Sequence, residues 1–144
     1  MSVFVDTNVL VYARDLSVPH KQQRAHEWIS ALWASRLGRT SVQVLNKYYV
    51  TVTRKLSPGL AARDARADVS DLRAWLPVPI SASLLDYAFA AEDRFGLSYW
   101  DSLIVAAAQA AECDYLLNED LQDGQRLDSV TVLNPFTHRP ETIL

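Results

Sequence analysis

Four carboxylates stand out by where they fall in the chain. Asp6 ends the apolar run Val3-Phe4-Val5, and Asp120 comes shortly after Tyr115-Leu116-Leu117. Asp101 lies just inside the stretch that begins at Ser98, and Asp123 is about one helical turn beyond Asp120. Val3, Phe4 and Val5 show no polar alternation, as in a strand buried on both faces. The carboxyl ends of parallel strands share one sheet edge, where ligands collect. Asp6 and Asp120 are therefore expected on one side of the domain, with Asp101 at a helix start beside them. Acids gathered on one edge repel each other unless a cation joins them, and oxygen donors suit Mg²⁺ or Mn²⁺. Such ions activate water and stabilise in-line attack at phosphorus, so the expected chemistry is phosphodiester hydrolysis. Each acid also has a plainer explanation. Asp6 can cap the following helix. Ser98-Tyr99-Trp100-Asp101 fits a capping box. Glu119, Asp120, Asp123 and Asp128 can form a solvated acidic loop.

The elements that must position these residues follow from hydrophobic spacing. A short helix runs from Asn8 to about Arg14. A longer one starts at Pro19, with Ser17 as a plausible cap, and reaches about Leu37 before Gly38 stops it. Arg39-Thr40-Ser41 is a link or very short strand. Ser41 caps a helix from Val42 to about Leu56, and Ser57-Pro58-Gly59 breaks the chain. A helix from Leu60 to about Trp75 precedes the extended Pro77-Val78-Pro79-Ile80, a candidate strand. Ser83 and Ser98 open two further helices, the first ending at Gly96 and the second at Glu112. Tyr115–Leu117 and Val130–Leu133 read as the remaining strands, and the tail from Asn134 as a loosely held end. Alternating strands and helices predict an α/β fold, a parallel sheet with helices on both sides, over one domain spanning residues 1–144.

Composition narrows the function classes. The chain has 144 residues and a net charge of −3, which argues against a broad nucleic-acid-coating surface. The charges divide unevenly: residues 1–72 hold 10 basic and 6 acidic side chains, and residues 73–144 hold 4 and 11. A basic half can face phosphates while an acidic half supplies metal ligands. Lys21, Arg24, Arg36, Arg39 and Arg54 are the candidate phosphate contacts, each with a solvated helix face as the plainer alternative. Cys113 is the single cysteine, which excludes an internal disulfide and a cysteine zinc site. No apolar run is long enough to span a membrane, so a cytoplasmic setting is the default expectation.

Four segments in order resemble the PIN-domain ribonucleases, and within them the VapC-type toxins of toxin–antitoxin pairs. They are Val5-Asp6-Thr7-Asn8-Val9-Leu10, Ser41-Val42-Gln43-Val44-Leu45-Asn46, Tyr99-Trp100-Asp101-Ser102-Leu103-Ile104, and Leu116 to Gly124. The resemblance covers the chain from Ser2 to about Leu133. It implies a three-layer α/β/α sandwich around a central parallel sheet and Mg²⁺- or Mn²⁺-dependent cleavage of RNA. The family's first, third and fourth acids fall on Asp6, Asp101 and Asp120, with Asp123 close by as a further metal ligand. Asn8 and Asn118 fall on supporting polar positions, and Arg39 and Arg54 remain candidates for RNA contact. An antitoxin whose tail enters the active-site groove and a homodimer are the implied protein partners.

The family's second acid, a glutamate, falls on Lys47. A protonated lysine among carboxylates is expected to pair with them, to fill the place of a cation and to ligate no Mg²⁺. Periodicity alone would instead put Lys47 on a solvated face with Gln43 and Arg54. As a site residue it implies an endoribonuclease scaffold impaired in this form. The alternative is a non-catalytic module that binds antitoxin or RNA. Lys47 is either natural or a deliberate Glu→Lys change that disarms a toxin, and the intact remainder of the site favours the second origin. A receiver-like phospho-acceptor fits less well, because no lysine follows Lys55.

Overall fold

A computed structural model describes residues 1–144. Five strands form one sheet: β1 (Val3–Val5), β2 (Gly38–Arg39), β3 (Tyr115–Leu117), β4 (Arg126–Leu127) and β5 (Val130–Leu133). Their spatial order is β2-β1-β3-β5-β4. Every pair is parallel except β4 with β5. Helices α1 (Thr7–Tyr12), α2 (Pro19–Ser35), α3 (Val42–Val50), α4 (Ala62–Asp71), α5 (Ala82–Phe95) and α6 (Tyr99–Ala110) cover both faces, giving the expected three-layer α/β/α sandwich. β1 is completely buried, and so are Leu116 and Leu117 of β3, as their unbroken apolar runs require.

The strand order creates the site. The chain leaves β1 for β2 on one side and later returns to lay β3 on the other side. The carboxyl ends of β1 and β3 are therefore a topological switch point, where crossovers diverge and leave a crevice. Asp6 follows β1 there and Asn118 follows β3. The register Val5↔Leu117 sets these two residues level.

Several local expectations are corrected. The helix after Ser41 does not run regularly to Leu56: α3 ends at Val50 and a π-helical turn covers Thr51–Lys55. The Thr53 hydroxyl donates to the Tyr49 carbonyl at 2.6 Å, and the Leu56 N–H reaches back to Thr51. The hydroxyl competes for a carbonyl of the helical ladder, and the backbone takes one extra residue in the turn. The helix expected from Leu60 to Trp75 begins later and tightens into a 3₁₀ turn over Leu72–Trp75. Pro77–Ile80 contributes one parallel bridge, Val78 to Ser41, because its prolines lack the N–H of a continuous ladder. Val18 rather than Ser17 precedes α2, since the Ser17 hydroxyl is taken by Asp15. Ser81 rather than Ser83 caps α5. α2 stops at Arg36, which adopts the left-handed conformation itself; Gly38 instead lies against Trp75, where a Cβ would come within 2.7 Å of the indole.

The tail is not loose. The Trp28 indole N–H donates to the carbonyls of Pro135 and His138, and Arg24 donates to the latter. Phe136 packs edge-on against Tyr12, and Pro140 is buried. β4 is the one strand with no sequence signal of its own: it is two residues long and joins β5 through an antiparallel turn.

Candidate active site

Asp6 ends β1 and caps α1: its Oδ1 accepts the Thr7 N–H at 2.6 Å. Its Oδ2 accepts the Asn118 side-chain N–H, also at 2.6 Å. Asn118 is buried and uses its other end as well. Its Oδ1 accepts the backbone N–H groups of Asp120 and Leu121 at 2.7 and 2.9 Å. One amide thus ties the carboxylate after β1 to the loop after β3. Burial raises the pKa of Asp6 above the ordinary 3.8; the Thr7 N–H and the charge of Lys47 oppose the rise, and Asp101 adds to it. Asp6, Asp101 and Lys47 therefore act on one another's charge.

Asp101 sits in the first turn of α6, where Ser98 Oγ accepts its backbone N–H at 3.2 Å. The return half of a capping box is absent, and no protein donor engages the Asp101 carboxylate. Capping accounts for the backbone of Asp101 but not for its charge. Lys47 is exposed on α3 and forms no ion pair, so the direct pairing expected of it does not occur. Both Asp6 oxygens are already engaged by N–H donors, and Lys47 acts through space instead.

The four expected metal ligands do not gather: no group of three or more acidic, histidine or cysteine side chains is placed to hold a metal ion. Asp120 is exposed on the loop beyond Asn118. Asp123 is turned away by two partners. It accepts the Asn134 N–H at 2.9 Å and pairs with His138 at 2.8 Å, contacts that lower its pKa. Where a glutamate would complete the set stands Lys47. As it stands, the donor set does not fit a divalent ion held by this group of acids.

The remaining candidates scatter. The Arg39 guanidinium folds back onto the carbonyls of Arg36 and Gly38, and its charge is felt by Cys113, just before β3. That is the amino end of the sheet, opposite the acids. Arg54 is exposed on the π-helical turn without an ion partner. Lys21 is bound to Glu119 at 2.7 Å and lies over the rings of Tyr12 and Phe136. Arg24 pairs with Glu27. Asn8 Oδ1 is buried and unpartnered on the first turn of α1, near Asp6 in sequence. Sequence reasoning missed Gln43 as a site neighbour: its Nε2 donates to the Trp100 carbonyl at 3.4 Å and its Oε1 is buried without a partner. The signal available was its spacing, one turn before Lys47 on α3. A separate cleft of about 570 Å³ opens between α1, α2, α3 and α4, lined by Leu10, Ile29, Trp33 and Leu72. There Arg14 chelates Asp68 at 2.6 and 3.0 Å, and the Tyr48 hydroxyl donates to the same carboxylate.

The PIN domain family model matches residues 3–128, which include β1, the switch point and the acid-bearing segments. The chain belongs to the PIN-domain family. No curated protein matches it in sequence. Among solved structures, this PIN domain is similar to a toxin–antitoxin complex from Klebsiella pneumoniae, with a TM-score of 0.65 and 18% identity over 93% of this chain and 98% of that one. It is also similar to VapC20 of Mycobacterium tuberculosis, described as a Sarcin-Ricin loop cleaving toxin, with a TM-score of 0.57 and 19% identity over 83% and 92% of the two chains. VapBC2 from Rickettsia felis, bound to a promoter DNA fragment, gives a TM-score of 0.58 and 16% identity over 92% and 97%. At these identities the likeness is one of fold. No helix of this PIN domain is long and apolar enough to cross a membrane.

Proposed function

We propose that residues 1–144 act as one PIN-like domain of the VapC type, an endoribonuclease scaffold whose phosphodiester chemistry is suppressed by Lys47. The observation that carries this reading is the Asp6–Asn118 bond at the switch point, with Asp101 and Lys47 acting on the Asp6 charge. Asp6 and Asp101 are the acids of the reaction. Asn118 holds Asp6 in place and fixes the start of the Asp120 loop. Asp120 is available from that loop to join the acids. Asp123 is structural, because both its oxygens are committed to the tail. Mg²⁺ or Mn²⁺ belongs to the form that carries a carboxylate at position 47. With Lys47 in place, the ammonium supplies the positive charge and no metal-dependent step is assigned.

The same fold supports an antitoxin as partner. The cleft between α1, α2, α3 and α4 offers an apolar lining beside the Arg14–Asp68 pair, the surface chemistry of an amphipathic peptide site. A homodimer and a cytoplasmic setting, where RNA is the substrate, complete the proposal. Lys47 also favours a second reading, in which the chain binds antitoxin or RNA without hydrolysis.

Lys47→Glu separates the two. With Mn²⁺ and a structured RNA pool, the glutamate form is expected to cleave while the lysine form does not. At a metal concentration of about 100 times Kd, binding to the folded state contributes about 2.7 kcal/mol. For a chain of this size that raises the Tm of the glutamate form by roughly 5–10 °C. Equal cleavage by both forms would place Lys47 outside the site. Absence of cleavage and of a metal-dependent Tm shift in the folded glutamate form would leave the binding-module reading.

A further inference from the structure

Three features meet where α3 approaches the start of α6. Trp100 is 66% exposed, although indoles are usually covered. Its ring stands edge-on to Tyr99 at 5.3 Å, and Tyr99 leans on Phe89 at 5.8 Å. The indole is thus backed by protein aromatics while most of its surface stays open. Gln43 donates Nε2–H to the Trp100 carbonyl, which leaves Oε1 buried with no donor. The orientation is fixed, because only the amide nitrogen can donate to a carbonyl. Both residues adjoin the proposed site: Trp100 precedes Asp101, and Gln43 precedes Lys47 by one turn.

We propose that Trp100 and Gln43 form a subsite for one unpaired nucleotide of an RNA strand. Trp100 stacks on the base, and Gln43 Oε1 accepts a hydrogen bond from the ribose 2′-hydroxyl. The subsite rests on the ribonuclease reading above and names the substrate feature that its site selects. An open aromatic face recognises bases that are not already stacked in a duplex, whatever their sequence. The 2′-hydroxyl is the donor that DNA lacks. Ile80, Tyr87 and Phe89 are also exposed, and a second copy of the chain is the rival occupant. An apolar seam between copies would leave Gln43 Oε1 without a donor, whereas a ribose supplies one.

The test uses the full chain with Lys47 retained. Binding of a labelled single-stranded RNA, its duplex, and single-stranded DNA of the same sequence is followed by fluorescence anisotropy. The variants are Trp100→Ala, Trp100→Phe and Gln43→Ala, with folding checked by circular dichroism and association state by sedimentation. Trp100→Ala is expected to weaken single-stranded RNA about tenfold or more, with duplex binding unchanged and Trp100→Phe retaining most of the affinity. Gln43→Ala is expected to lower the preference for RNA over DNA several-fold. Unchanged RNA affinity in folded Trp100→Ala overturns the subsite, and so does a dimer that becomes monomeric with RNA binding intact. Cleavage by the Lys47→Glu form together with either result leaves the ribonuclease reading standing and removes only the subsite. No RNA binding by the starting chain and no cleavage by Lys47→Glu overturns both.

Discussion

Asn118 carries more of the site than its position in a short loop announces. One buried amide satisfies a carboxylate oxygen and two backbone N–H groups. Asn118→Ala leaves all three without that partner. The expected cost is about 3 kcal/mol, since each buried group left unsatisfied costs about 1–3 kcal/mol. A fall in Tm of roughly 10 °C by calorimetry would match it, and an unchanged Tm would remove the clamp from the account. Cys113 behaves differently. It is buried, and burial pushes its thiol from the ordinary 9.0 up to about 12. Folded Cys113 is expected to resist alkylation at pH 8 and to react freely once the chain is unfolded in denaturant, read by mass spectrometry. The linkage has a definite sign. Because the folded pKa is raised, the contribution is full below pH 9.0 and is lost as pH rises towards about 12. Chemical denaturation across that window checks it, and Cys113→Ala should flatten the alkaline slope.

At the scale of elements, helix ends were the least readable parts of the chain. Ser41 and Ser98 cap α3 and α6 as their positions suggest, because a hydroxyl one residue before an apolar periodic run has an N–H within reach. The π-helical turn after Val50 was hidden, because Thr51–Lys55 has helical spacing whichever ladder it uses. Gly38 shows how a residue's type can be right and its reason wrong. It has the look of a helix stop, yet its role is to let β2 approach Trp75 of the turn after α4. A Cβ there would lie 2.7 Å from the ring. Gly38→Ala is therefore expected to lose about 1–3 kcal/mol by overpacking, and more than a matched Gly59→Ala control. Urea unfolding with an unchanged m-value would measure it. A Gly38→Ala protein as stable as its parent would mean that Trp75 can move aside freely.

On the scale of the whole molecule, the tail closes the fold over α2. Trp28 is fully buried and its indole N–H holds two tail carbonyls. Trp28→Phe keeps most of the apolar volume and removes the donor. The expected result is a loss of about 1–3 kcal/mol and faster amide exchange confined to residues 134–144. Exchange that rises evenly over the chain would instead mark Trp28 as a core-packing residue alone. The sequence by itself determined the element types, the buried strands β1 and β3, and the acids that follow them. These follow from local rules, because apolar runs and capping residues act within a few neighbours. The tertiary structure alone decided that β3 lies beside β1, so that Asn118 reaches Asp6 across 112 positions of sequence. It also decided that Asp123 serves the tail, that Arg39 faces the opposite edge, and that Lys47 acts on Asp6 without touching it. Strand order and side-chain partners depend on contacts distant in the chain, and no local pattern encodes which carboxylate finds which donor.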